Sequence, residues 1–227
     1  MLYVLLLILI LGAVFGPQMW ARHVLAKHGR VRDDLAGTGS ELARHLLDGL
    51  NLAEVKVETT DRGDHYDPLE KAVRLSPESS GKRSLTALVV ATHEVGHAIQ
   101  DATGYQPFYA RTRLVRGGQA VQKIGAGLMM AIPLIAILTR SPRLGIFMIL
   151  VGLATLGTSF VVHLVTLPVE WDASFRRALP LLATNRLIPE RDQGAAREIL
   201  TACALTYVAS SLASLLNLWR WIAILRR

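Results

Sequence analysis

The chain has 227 residues, a formal net charge of +7 and a positive mean hydropathy, with 51% hydrophobic and 19% charged residues. That length fits one domain, or one domain plus apolar membrane segments, and the composition is too apolar for an ordinary soluble enzyme. The single cysteine, Cys203, excludes an internal disulfide, and the arginines flank apolar segments instead of forming a tract, which argues against a nucleic-acid partner.

Leu2 to Trp20 carries no charge and is long enough to cross a bilayer core of about 30 Å. No basic residue precedes it, and Gly16-Pro17-Gln18-Met19-Trp20 is a poor cleavage site, so an uncleaved anchor is expected. Ser40-Glu41 opens an amphipathic helix with Leu42, Ala43, Leu46 and Leu47 on one face, ended by Asn51-Leu52. Val55, Val57 and Thr59 alternate with polar residues as in a strand. Asp61-Arg62-Gly63-Asp64 reads as a turn, and Ala72 to Ser76 as a further strand. Ser84 starts a long apolar helix. Gly117 to Thr139 and Leu144 to Leu167 are two more apolar stretches, joined by the tight hairpin Arg140-Ser141-Pro142-Arg143. Pro168 should open a further helix, and the polar stretch to Arg197 should break near Asn185 to Pro189. Ala202 to Leu218 is a fourth apolar stretch.

The long helix carries His93-Glu94-Val95-Gly96-His97. Residues i and i+4 share one helix face, so both imidazoles can close on one Zn2+ at roughly 2.0–2.1 Å. Glu94 can then lean over the metal's water as general base, which is the spacing of a zinc metallopeptidase. The uncharged flanks Val90-Ala91-Thr92 and Ala98-Ile99 suit a buried helix.

A catalytic zinc takes three protein ligands and keeps one position open. No third histidine follows His97, so the extended metzincin pattern fails. Glu170, in Leu167-Pro168-Val169-Glu170-Trp171-Asp172-Ala173-Ser174, is the main candidate, because the hairpin of apolar stretches returns the chain to the side it left. Asp101 lies one turn past His97, and His163 lies inside an apolar stretch; both are alternatives.

These residues resemble a family. Gly39-Ser40-Glu41-Leu42-Ala43, Asp64-His65-Tyr66-Asp67-Pro68, the extended motif His93 to Gln100 and Leu167 to Ser174 resemble the YugP-type neutral zinc metallopeptidases, small bacterial membrane proteins. The resemblance implies His93 and His97 as ligands, Glu94 as catalytic glutamate and Glu170 as third ligand. The chain is similar, more distantly, to membrane peptidases of the CAAX-prenyl-protease and HtpX type. In those an aspartate follows the downstream glutamate by four residues; here position 174 is serine and Asp172 is two residues on.

The expected fold is mainly α with a small β-sheet: an α+β zincin-like catalytic domain plus transmembrane helices. The expected organisation is an anchor over 1–20, the catalytic domain over 21–116, a transmembrane hairpin over 117–167, a helical segment carrying the third ligand over 168–201, and a C-terminal apolar helix, spanning or interfacial, over 202–227. The expected activity is zinc-dependent endopeptidase chemistry on a polypeptide substrate, with Zn2+ as cofactor and the lipid bilayer as neighbour. Basic flanks such as Arg22, Lys27, Arg111, Arg113, Arg116 and Lys123 favour a multi-pass protein of the bacterial inner membrane with a cytoplasmic catalytic face. His65, Tyr66 and Arg177 are candidate contacts to the substrate or transition state. Lys71 to Pro77 would offer a strand edge to an extended peptide. The alternatives are a non-catalytic scaffold or adaptor with a structural metal site and, last, a transporter.

Overall fold

The computed structural model describes residues 2–139, 143–184 and 186–206. In chain order these form α1 (Leu2–Lys27), α2 (Gly39–Gly49), β1 (Lys56–Thr59), β2 (His65–Asp67), β3 (Ala72–Leu75), α3 (Pro77–Gly81), α4 (Leu85–Ala102), α5 (Gln106–Thr139) and α6 (Arg143–Trp171). A π-helical segment, Asp172–Ala178, continues α6 into α7 (Leu179–Thr184). After a 3₁₀ turn at Glu190–Asp192, a helix called α8 runs over 193–206.

Side-chain caps set where the helices begin. Thr38 caps α2 in a reciprocal box with Glu41, whose Oε2 accepts from the Thr38 amide at 2.8 Å. The start therefore lies slightly ahead of Ser40. Asn51, in the left-handed region at φ 58°, takes the chain out of α2. Ser76 caps α3 with Pro77 in its first turn, and Ser84 caps α4 through the Ala87 amide at 3.2 Å.

The three strands form one sheet in the order β1-β3-β2. β1 runs parallel to β3, in the register Val57 to Val73, and β2 runs antiparallel, with Tyr66 opposite Val73. β3 is thus the middle strand, with both edges paired. The expectation that Lys71 to Pro77 offers a free edge is corrected: Val73 and Leu75 are fully buried, and apolar strands of this kind take the centre of a sheet.

Helix α4 is the axis of the molecule. Ala91, Val95 and Ala98 pack with Leu46 and Leu47 of α2 and Val73 and Leu75 of β3. Leu85, Leu88 and Val89 pack with Leu182 of α7 and Ile199 and Leu200 of α8. Each fully buried leucine of this kind contributes about 1.5–3 kcal/mol. Being buried nearly all round, α4 has no solvated face on which His93, Glu94 and His97 could sit.

The transmembrane helices expected from the sequence are corrected as well. Among the described residues, no helix is long and apolar enough to cross a membrane. The apolar stretches are not separate elements: α1 continues through Arg22 to Lys27, α5 begins with Arg111, Arg113 and Arg116, and α6 continues into Glu170. Polar turns are therefore built into each long helix. Arg140 to Pro142 of the expected hairpin and positions 207–227 of the expected C-terminal helix lie outside the described residues, as does the side chain of His163.

Pro168 also behaves differently from the expectation. It sits inside α6 instead of opening a new helix. Its ring nitrogen cannot donate to the Leu164 carbonyl, which loosens the turn just before the π segment. That segment packs closely on α4. A Cβ placed on Gly96 would meet the Ala173 carbonyl oxygen at 2.8 Å. Gly96→Ala is therefore expected to lower the melting temperature in thermal unfolding. Overpacking against backbone costs roughly 1–3 kcal/mol, which outweighs the alanine helix preference of about 1 kcal/mol. An unchanged or higher melting temperature would contradict the close approach of the two segments.

Candidate metal centre

Helical spacing places His93 and His97 on one face of α4, with ring centroids 4.8 Å apart. Glu170 reaches the same point from the end of α6. Its Oε2 lies 3.2 Å from His93 Nε2 and 3.3 Å from His97 Nε2. All three residues are buried, Glu170 completely. Among the described residues they form the one group of side chains that could hold a metal ion, with ligand atoms within 4.8 Å of one another. Separations of about 3.3 Å are those between neighbouring ligands on a tetrahedral ion with bonds of about 2.0–2.1 Å.

The proton positions test the fit. Gln100 donates from Nε2 to the Val169 carbonyl at 2.8 Å and to Asp172 Oδ2 at 2.9 Å. Those two acceptors orient the amide, so Gln100 Oε1 faces His97 Nδ1 at 2.9 Å and accepts its proton. A neutral His97 then carries its lone pair on Nε2, pointing at the Glu170 carboxylate. The same logic holds for His93. Ser174 Oγ donates to the Leu200 carbonyl at 3.4 Å and accepts from His93 Nδ1 at 3.1 Å. Two lone pairs and a carboxylate thus converge with no proton between them. Glu170 Oε1 is buried and lacks a hydrogen-bond partner. A cation satisfies this arrangement, and two imidazoles with one carboxylate are a donor set of zinc enzymes.

The chain matches, over residues 3–226, the family described as "Putative neutral zinc metallopeptidase". It belongs to this family. It is 35% identical over 227 residues to "Putative membrane protease YugP" of Bacillus subtilis strain 168, a match covering 99% of this chain and 96% of the relative. No solved structure matches.

Family membership leaves the other expected site residues to the geometry. Glu94 is buried beside His93, at 6% exposure. Tyr66 is buried too, and its hydroxyl donates to Asp101 Oδ2 at 2.7 Å. Asp101 also accepts from Tyr109 at 2.9 Å, so this alternative ligand is engaged away from the histidines. His65 Nδ1 lies 2.8 Å from the Gly63 carbonyl in the turn before β2. Arg177 Nε donates to Asp172 Oδ2 at 2.7 Å, and its guanidinium stacks 5.5 Å from the Tyr105 ring centroid. None of these hydrogen bonds of Tyr66, His65 or Arg177 reaches His93, His97 or Glu170.

Sequence reasoning passed over three residues. Gln100 stands three positions after His97, and that spacing alone marks it as a neighbour on the helix face. Ser174 makes the contact to His93 from four positions after Glu170. Arg111, whose Nη2 lies 3.6 Å from Glu170 Oε1, comes from α5 and leaves no local signal in the sequence.

Burial pushes the Glu170 carboxyl up; in the metal-free site His97 and His93 outweigh it where their rings carry protons toward the carboxylate, holding it below the ordinary carboxylate range. Glu94 goes the other way. Burial raises its carboxyl from 4.5 to about 7, opposed by His93 and reinforced by Glu170 and Asp64. An acid with a raised folded pKa holds its proton longer in the folded state. Its burial therefore costs stability progressively as pH rises from 4.5 through about 7. In chelator-treated protein, Glu94→Gln is expected to be more stable than the wild type at about pH 8, with the gap closing toward about pH 4. Urea unfolding at both pH values measures this, and a gap that widens on acidification would contradict it.

Proposed function

We propose that the protein is a zinc-dependent endopeptidase in which His93, His97 and Glu170 hold the ion and Glu94 is the general base. The observation that carries this reading is the convergence of two imidazole lone pairs and a buried carboxylate next to a second, separately buried carboxylate. A structural site has no need of that second group. Bound zinc lowers the pKa of its water from 15.7 to about 7 and polarises the scissile carbonyl.

The chain's own residues supply the remaining steps. Glu94, buried next to His93, is placed to accept the proton of the attacking water. It then returns that proton to the leaving amine. Gln100 and Ser174 hold the two rings so that Nε2 of each would be free to hold the ion. Burial of α4 keeps bulk water off Glu94 and strengthens each of these interactions.

An edge strand of the sheet supports a peptide substrate. β2 pairs only with β3 among the described strands, so its outer edge can accept an extended chain by backbone hydrogen bonds. Membrane association is part of the reading. It is supported by the relative's name, which includes "membrane protease", and by exposed apolar side chains on α5 and α6, among them Ile124, Met130, Ile146, Phe147, Leu150 and Leu164.

The decisive comparison is Glu94→Gln against Glu170→Gln, with zinc content by elemental analysis and cleavage of an unfolded protein substrate measured on each. Glu94→Gln is expected to keep about one zinc per chain and to lose about 10²–10⁴-fold in activity. Glu170→Gln is expected to lose both metal affinity and cleavage. Cleavage undiminished in Glu94→Gln would rule out its role as base, whereas zinc retained with no cleavage by the wild type would favour the scaffold alternative.

A further inference from the structure

A pocket of about 260 Å³ opens beside the candidate metal centre, between β2 with its following turn and the first turns of α5. Tyr66 and Leu69 line one wall, and Phe108, Arg111, Val115 and Arg116 the other. It adjoins the reacting centre: the Phe108 ring lies 6.1 Å from that of His97, and Arg111 Nη2 lies 3.6 Å from Glu170 Oε1. A peptide laid along the outer edge of β2 passes the mouth of this pocket at Asp67.

We propose that this pocket is the specificity subsite of the peptidase and that it takes an acidic side chain, read by Arg116. The inference rests on the peptidase reading given above. Its basis is an unspent positive charge over an apolar floor. Asp67, the one carboxylate in the lining, is committed to Arg74 and to the amides of Leu69 and Glu70. Arg111 leans toward Glu170 and adds a second positive charge to the same wall. Arg116 is exposed and has no hydrogen bond or ion pair among the described residues. Phe108, Leu69 and Val115 offer apolar surface to the methylene stem of a glutamate, and the guanidinium of Arg116 meets its carboxylate. A lysine in the same place would meet like charge, so the pocket discriminates by repulsion as well as attraction.

The test uses binding, so that it does not depend on turnover. Zinc-loaded full-length Glu94→Gln is titrated with pairs of short fluorescent peptides that differ only by Glu or Lys at one position, scanned along the peptide. At one position the Glu peptide is expected to bind about tenfold more tightly than its Lys twin. Adding Arg116→Glu should reverse that order. Adding Arg113→Glu, on the same helix but outside the lining, should leave it intact. Equal affinities at every position would overturn the proposal, as would a preference that Arg116→Glu leaves unchanged. Loss of binding to anionic phospholipid vesicles in Arg116→Glu, with the peptide ratio unaltered, would assign the residue to lipid and also overturn it. If the preference and its reversal hold while wild-type protein cuts none of the peptides, the subsite stands and the peptidase reading fails.

Discussion

A carboxylate with no exposed surface, set between two imidazoles, governs the rest of this structure. Glu170 cannot be solvated by water, so its charge must be met from within. Arg111 stands 3.6 Å from one carboxylate oxygen, and the hydrogen bonds behind His93 and His97 leave lone pairs that, with the carboxylate, suit a cation. Everything around the centre serves to bring these three groups together without protons between them. Gly96 lets the α4 backbone approach Ala173 closely, and the π segment turns the chain after Glu170 so that Ser174 also faces α4. A regular helix through Trp171 would shift that register, and π segments recur at functional sites for this reason.

The shell behind the ligands divides the work unevenly. Gln100 is the hub: it holds His97, the Val169 carbonyl and Asp172 together, and Asp172 in turn is tied to Arg177. Ser174 holds His93 with a neutral hydroxyl anchored on Leu200, and the carboxylate of Asp172 acts on Gln100, the partner of His97, one link further from the rings.

Much of this was legible from local patterns. The helix start at Ser84, the helix end at Asn51 and the amphipathic face of α2 follow from residue types and spacing, whereas the short helix that Ser76 caps was not expected. Other features were not. The alternation in Val55 to Thr59 and Ala72 to Ser76 marks strands but says nothing of their order, and the sheet placed the latter in the middle. Arg177, a candidate substrate contact, pairs with Asp172, as its place five residues on allows, but its approach to the Tyr105 ring comes from the fold alone. Hydropathy alone pointed to membrane-crossing helices, whereas the long helices run through polar turns that a sliding apolar window ignores.

What the amino-acid sequence by itself determined was the chemistry of the centre: the i, i+4 histidines, the glutamate between them, and the family to which the chain belongs. Helical periodicity is local, so those relations survive without knowledge of the fold. Only the tertiary structure decided that Glu170, distant in the chain, meets both rings, that Arg111 stands beside it, and that β2 rather than β3 is an edge strand. Those outcomes depend on how α4 packs between the sheet and the π segment. Packing of that kind is set by many side chains at once, and no single stretch of the sequence records it.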